Sequence, residues 1–194
     1  QVEFAGRTVR RLDGKGQVSL AQIADRSMCG NETALQATCS HSSPISPPPF
    51  MVGMAEIELD RETGSVQLLD YAAVVDCGTP INPNLARVQT EGGLVQGIGM
   101  ALSENVTYTP EGRILEDSFM QYKIPTRLDM GKLRVEFESS YEQTGPFGAK
   151  SIGEIVINTP APALAHAIYR ATGVWHRELP IPPEKILLGM DGQE

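Results

Sequence analysis

The chain has 194 residues, 41% hydrophobic and 21% charged, a balance ordinary for a soluble globular protein of one domain or one domain with an extra lobe. Its net charge of -8 argues against nucleic acid or an anionic membrane surface as the main partner. No apolar run is long enough to span a bilayer, and no signal-peptide pattern opens the sequence.

The start at Gln1, in mid-pattern, reads as an excised fragment, a processed end or a separate small subunit. Cys29, Cys39 and Cys77 are odd in number and form no CxxC, so neither a disulfide framework nor an iron–sulfur site is expected within the chain. Cys39-Ser40-His41 offers two metal ligands without a second pair. The thiols read as reduced and structural, in a cytoplasmic protein.

Residues 1–16 read as an edge ribbon, with Val2, Phe4, Val9 and Leu12 loosely alternating and Asp13-Gly14 as a turn. Ser19 is placed to N-cap a short helix over Leu20–Asp25, ending near Gly30. The run 38–49, with four prolines between 44 and 49, is an extended crossing segment. Phe50–Leu59 alternates near period two and predicts a strand. Asp60–Gly64 is a hairpin loop whose glycine suits a positive φ, and Ser65–Val75 returns as a second strand. Residues 76–83 close it in a proline-fixed loop.

Residues 84–103 predict a helix with Leu94, Val95, Ile98, Ala101 and Leu102 on one side. Gln89 and Gln96 fall opposite, and Gly92, Gly93 and Gly97 lie near that polar side. Each mid-helix glycine costs about 1 kcal/mol relative to alanine. Several together require close approach, either of a ligand or of another packed helix beside two solvated glutamines. Residues 106–115 predict a hairpin around Thr109–Gly112, residues 118–126 an extended run, and Leu133–Glu138 a half-buried strand. Thr159-Pro160 predicts a cap and first turn for a helix striped by Leu164, Ala167, Ile168 and Ala171 and stopped by Gly173. His166 reads as a packed or surface histidine. Residues 178–187 lead into a short terminal helix.

The chemistry concentrates in Gly145–Glu154, where three glycines and a proline surround Lys150, Ser151 and Glu154. Such a backbone turns sharply and approaches closely. Ile155, Val156 and Ile157 follow, which sets Glu154 at the edge of a buried region. Partial burial favours the protonated form of a carboxylate, and that suits a general base. The competing reading is a turn ending in a solvated Glu. No P-loop fits, because Ala149 precedes Lys150-Ser151, and GxSxG, HExxH and a strand-helix GxGxxG are all missing.

The chain resembles the C-terminal part of the molybdenum-binding subunit of the xanthine dehydrogenase/aldehyde oxidase family. The resemblance is carried by Ala55–Asp60 with Glu62-Thr63-Gly64, then Asp76-Cys77-Gly78 with Asn82-Pro83, then Gln89–Gly99 and Tyr122–Thr126. Gly145–Glu154 and Glu178–Glu184 complete the series. Order and spacing agree from about residue 50 to the end. The resemblance implies an α+β fold, a mixed sheet with hairpins packed against the Gly-rich helix and a C-terminal helix. It divides the chain into 1–49, a partial N-terminal lobe with the Pro-rich crossing segment, and 50–194, a C-terminal molybdopterin-binding domain.

In this family a molybdenum atom carries a pyranopterin dithiolene with oxo, sulfido and hydroxide ligands. The resemblance implies Glu154 as the base that takes the hydroxide proton while hydride leaves the substrate carbon for the sulfido group. It implies Gln89 as a hydrogen-bond partner of the pterin, and the backbone of Lys150, Ser151, Ile152 and Gly153 as lining beside the base. Gln96 takes no role from the resemblance and reads as packing. No metal ligand is assigned within the chain. The family's earlier Gly-Gln-Gly motif and the glutamine near the metal lie outside this sequence. Their region would share the cofactor, and iron–sulfur and flavin (FAD) groups would sit on other chains or regions. Ser151 and Ile152 depart mildly from the usual Lys-Gly-Val-Gly-Glu. The implied activity is hydroxylation of a purine-like N-heterocycle or an aldehyde, with oxygen derived from water. Against it stand a noncatalytic docking fragment of the same fold, and a metal-independent hydrolase-like or transferase domain using Glu154.

Overall fold

The computed structural model describes residues 1–29, 35–40 and 42–192. The backbone divides into two compact units, Gln1–Ser42 and Ser43–Glu194. His41 and Gly30 lie outside the described residues, and with them the Cys39-Ser40-His41 pair and the end expected for the first helix.

In the first unit, β1 (Val2–Ala5), β2 (Thr8–Arg11) and β3 (Gln17–Ser19) form an antiparallel sheet in that order, followed by α1 (Leu20–Cys29). The ribbon therefore gains a third strand after the Asp13-Gly14 turn. Ser19 caps α1 as expected: its Oγ accepts from Gln22 N at 3.2 Å, and the Gln22 side chain accepts from Ser19 N at 3.0 Å. Two helix-end donors are thereby satisfied reciprocally.

The second unit is built on β4 (Phe50–Leu59), β5 (Val66–Asp76) and β6 (Lys132–Phe137). β4 and β5 pair antiparallel and β6 joins β5 in parallel, so the fold is α+β with a mixed sheet. The turn between β4 and β5 closes at Gly64 with φ 71°. The proline-rich run 43–49 belongs to this unit, and Ser43 Oγ donates to the Thr144 carbonyl at 3.3 Å. A bulge shifts the β4–β5 register at Glu56/Ile57. It lets Leu68 and Tyr71, three residues apart, both point into the core beside Ala73 and Val75.

A parallel partner for β5 requires a crossover. It is made by α2 (Pro83–Leu102), whose Leu94, Ile98 and Ala101 pack on Tyr71, Leu68 and Val135 from one face of the sheet. α3 (Pro160–Thr172) adds Leu164 to this core, and its Ala165 and Ile168 pack with Ile181 and Ile186 of the segment running into α4 (Pro183–Asp191). Ala171 is exposed, so the buried stripe of α3 runs through Ala165 instead.

Two local expectations are corrected and one between them is met. Thr159 precedes α3, but its side chain makes no capping bond; its Oγ1 accepts the Tyr71 hydroxyl at 2.9 Å. A buried tyrosine hydroxyl needs a partner, and that need outweighs the cap. The short hairpin expected at 106–115 forms: Tyr108 and Ile114 bridge antiparallel, Thr109 N donates to Arg113 O at 2.9 Å, and Leu115 N donates to Thr107 O at 3.0 Å. Residues 118–122 form a turn, with Gln121 N and Tyr122 N both donating to Ser118 O, rather than an extended run. Among the described residues no helix is long and apolar enough to cross a membrane.

Candidate functional site

The glycine-rich turn is fastened to the loop after β5. Thr79 N donates to Gly148 O at 2.8 Å and Lys150 N donates to Cys77 O at 2.7 Å, around a Gly78–Ala149 bridge. Gly78 and Gly148 stand at φ 67° and 83°, and Phe147, at φ 55°, is a non-glycine in the same region with its ring exposed. The Lys150 side chain is 11% exposed, its Nζ 2.6 Å from Asp76 Oδ2 and 5.5 Å from the Phe50 ring centroid. Both its backbone N–H and its ammonium are therefore committed to holding the turn.

Asp76 also accepts from Ser140 Oγ at 2.5 Å and from Gly78 N at 3.1 Å. The Lys150 ammonium, then the Ser140 hydroxyl, hold its carboxyl well down, from 3.8 to about 2. The folded pKa lies below the unfolded one, so the stabilisation is complete above pH ~4 and is lost as pH falls through about 2. Discounted for the partial exposure of Asp76, this is about 1–2 kcal/mol. Asp76→Asn is expected to lower stability by about that amount at neutral pH and to flatten the acid limb between pH ~4 and ~2. Denaturant melts at a series of pH values check this, and an unchanged acid limb would remove the assignment. Burial pushes the neighbouring Cys77 thiol up, with the Asp76 charge adding to it, which keeps that buried residue a structural thiol.

α2 begins at the Asn82 cap, whose Oδ1 accepts from Asn84 N and Leu85 N at 3.1 Å each. Two of its glycines admit the segment after the turn. A Cβ on Gly93 would overlap the Val156 side chain; one on Gly97 would lie 2.8 Å from Pro160 Cγ and 2.9 Å from Ile157 O. Close packing of the chain on itself thus accounts for these two glycines. As a result residues 153–160 rest on the helix backbone, and Gln89 Nε2 donates to Gly153 O at 2.9 Å.

Gln89, Gly92, Gln96, Gly153 and Glu154 then line one open cleft of about 270 Å³, floored by Gly93 and Val156. Of the residues singled out in sequence, Gln89, Gly153 and Glu154 meet here, whereas Lys150, Ser151 and Ile152 do not line the cleft. Val156 is buried behind it, but Glu154 itself is exposed, although the apolar residues that follow it predict partial burial. Ser151 Oγ accepts from Gly153 N at 3.4 Å and so serves its own turn. Gln96 lines the cleft rather than serving as packing alone. Its seven-residue spacing from Gln89, two helical turns, is the sequence signal that it shares this face.

A larger depression of about 700 Å³ lies between the start of β5, the end of α2 and residues 123–130. Its Lys123 Nζ is engaged by Met120 O, and its Asp129 accepts from Thr126 N and Oγ1. A further depression of about 520 Å³ between β4 and α3 carries His166 and Arg170. The smaller cleft is the one that gathers Gln89 and Glu154. Among the described residues no three His, Cys, Asp or Glu side chains converge on a metal-sized site.

Residues 1–131 match the model of the molybdopterin cofactor-binding domain family. The chain belongs to that family. This molybdopterin-binding domain is 38% identical over 179 residues to the probable hypoxanthine oxidase XdhD of Escherichia coli, covering 91% of this chain and 19% of that protein. It is 34% identical over 165 residues to the aldehyde oxidoreductase of Megalodesulfovibrio gigas, covering 81% of this chain and 18% of that one. The crystal structure of the Cu,Mo-CO dehydrogenase superposes over 98% of the domain and 25% of its own chain, with a TM-score of 0.82 at 23% identity, a likeness of fold. The domain spans about a fifth of the length of the curated relatives it matches. Gln89, Gly92 and Gln96 lie inside the family match, and Glu154 lies beyond it.

Proposed function

We propose that this domain forms one wall of the molybdenum-cofactor site of a hydroxylase, with Glu154 as general base. The observation that carries the reading is the cleft itself. A glutamine, a backbone carbonyl and a carboxylate from segments 64 residues apart in sequence are brought together by a hydrogen bond and a glycine-mediated contact. A pterin carries donors and acceptors along its pyrimidinone edge, and the amides of Gln89 and Gln96 match such an edge. The fit is that of a wall, since the cleft is open and small for a whole cofactor. The remaining molybdenum-binding region closes the site, and iron–sulfur and flavin modules elsewhere carry the electrons away.

Bound molybdenum supplies the two-electron oxidation of the substrate carbon, with water as the source of oxygen. Glu154, exposed at the cleft, accepts the proton released as that carbon is oxygenated. Gln89 ties α2 to Gly153 and so fixes the carboxylate next in sequence. Lys150 and Asp76 hold the preceding turn, and positioning of this kind is what keeps a base within proton-transfer distance. The substrate class is a purine-like N-heterocycle or an aldehyde, in line with the hypoxanthine oxidase and aldehyde oxidoreductase named among the relatives.

The test is metal and pterin analysis of the native complex together with a Gln89→Ala variant. Wild type is expected to carry molybdenum in a larger assembly, and Gln89→Ala to carry several-fold less molybdenum and pterin per chain. A native protein free of molybdenum with its partners in place would reject the reading; full occupancy in the variant would remove Gln89 from it.

A further inference from the structure

α2 carries four glycines, and internal packing explains three of them. Gly93 faces Val156, Gly97 faces Pro160 and Ile157, and Gly99 accommodates Glu104 and Pro125. Gly92 is different. A Cβ built on it meets no atom of the described residues within 4 Å, and its φ is not in the left-handed region. Nothing in the packing of the described residues requires glycine there, although glycine in mid-helix is less stable than alanine.

Its surroundings supply the reason. Gly92 follows Gln89 by three residues and precedes Gln96 by four, so the three share one helix face. All three line the cleft that also holds Gly153 and Glu154. Bare backbone at that point leaves a flat, open patch between two side-chain amides. We infer that Gly92 is the close-approach point of the cleft, where the pterin of the bound cofactor would pack directly on the α2 backbone between the amides of Gln89 and Gln96. Ring carbons pack at about 3.5–4.0 Å from their neighbours, and hydrogen bonds hold only to about 3.2 Å. A methyl group at Gly92 lifts the ring away from the helix and out of reach of both glutamines. This rests on the cofactor reading above and deepens it by naming the residue that limits approach.

The experiment compares Gly92→Ala, Gly93→Ala and Gln89→Ala in the assembled enzyme, reading molybdenum and pterin per chain, native mass, and the thermal midpoint of the cofactor-free form. Gly92→Ala is expected to lower cofactor content several-fold while raising the midpoint by about 2–4 °C, because the helix gains an alanine and loses no contact. Gly93→Ala, whose Cβ would overlap Val156, is expected to lower the midpoint. Full cofactor in Gly92→Ala with loss in Gln89→Ala would overturn the role of Gly92 and leave the cleft standing. Full cofactor in both would remove the α2 face, Gln89 and Gly92 together, from the cofactor site, whereas a wild type free of molybdenum would overturn the cofactor reading itself. A lowered midpoint for Gly92→Ala, or lost assembly with cofactor retained, would also overturn the inference, assigning the glycine to folding or to a contact with the rest of the subunit.

Discussion

Replacing Glu154 by glutamine in the assembled enzyme is expected to cut kcat/KM by about 10²–10⁴-fold with molybdenum still bound, the range that a positioned general base contributes. The amide keeps the size and the exposed position of the carboxylate but cannot accept the proton. Its neighbours give no reason for a structural effect: Gly153 is held by Gln89 through its backbone carbonyl, and Val156 is buried independently of residue 154. The measurement is steady-state turnover normalised to molybdenum content. Near-normal turnover at full metal content would sink the assignment. Loss of metal together with turnover would instead make Glu154 a structural part of the wall.

The second large effect is expected far from Glu154 in sequence. Gly78→Ala should destabilise the domain by about 2–4 kcal/mol. Two costs combine there. Gly78 sits at φ 67°, a left-handed conformation that costs an L-residue roughly 1–2 kcal/mol. Its new Cβ would also overlap the Gly148 carbonyl and lie 3.0 Å from Lys150 N, both of them backbone atoms that cannot rotate aside. The site is expected to loosen with it, because Thr79 N–Gly148 O and Lys150 N–Cys77 O are the bonds that fasten the glycine-rich turn. Denaturant midpoints and hydrogen exchange at the Thr79 and Lys150 amides check both parts; wild-type stability with undiminished protection would contradict the account.

Much of this architecture is legible in the amino-acid sequence. The alternation of Phe50–Leu59 and of the strand after Gly64 reports a sheet with one face buried, and period two is a property of the local chain. The 3.6-residue spacing of Leu94, Ile98 and Ala101 marks the face that α2 lays on that sheet, for the same reason. The ordered motifs from residue 50 onward point to the family that the match over residues 1–131 shows. The glutamine face of α2 is legible too, though sequence alone leaves its glycines divided between a ligand and a neighbouring helix.

Tertiary structure decided the rest, because each remaining question concerns partners distant in the chain. Thr159 has the right identity and position for a cap, yet the Tyr71 hydroxyl, 88 residues earlier, takes its oxygen. The sequence leaves open what holds Lys150 in place; Asp76, 74 residues earlier, binds its ammonium and Cys77 its backbone N–H. Glu154 is exposed because the apolar residues after it turn inward against Gly93 and Gly97 while the carboxylate remains at the mouth of the cleft. Residue types and their periodicity determined which strands and helices form and which family they build, since those depend on neighbours a few residues apart. Which glycine is filled by the chain itself and which is left open depends on packing between remote segments, and only the folded arrangement separates Gly93 from Gly92.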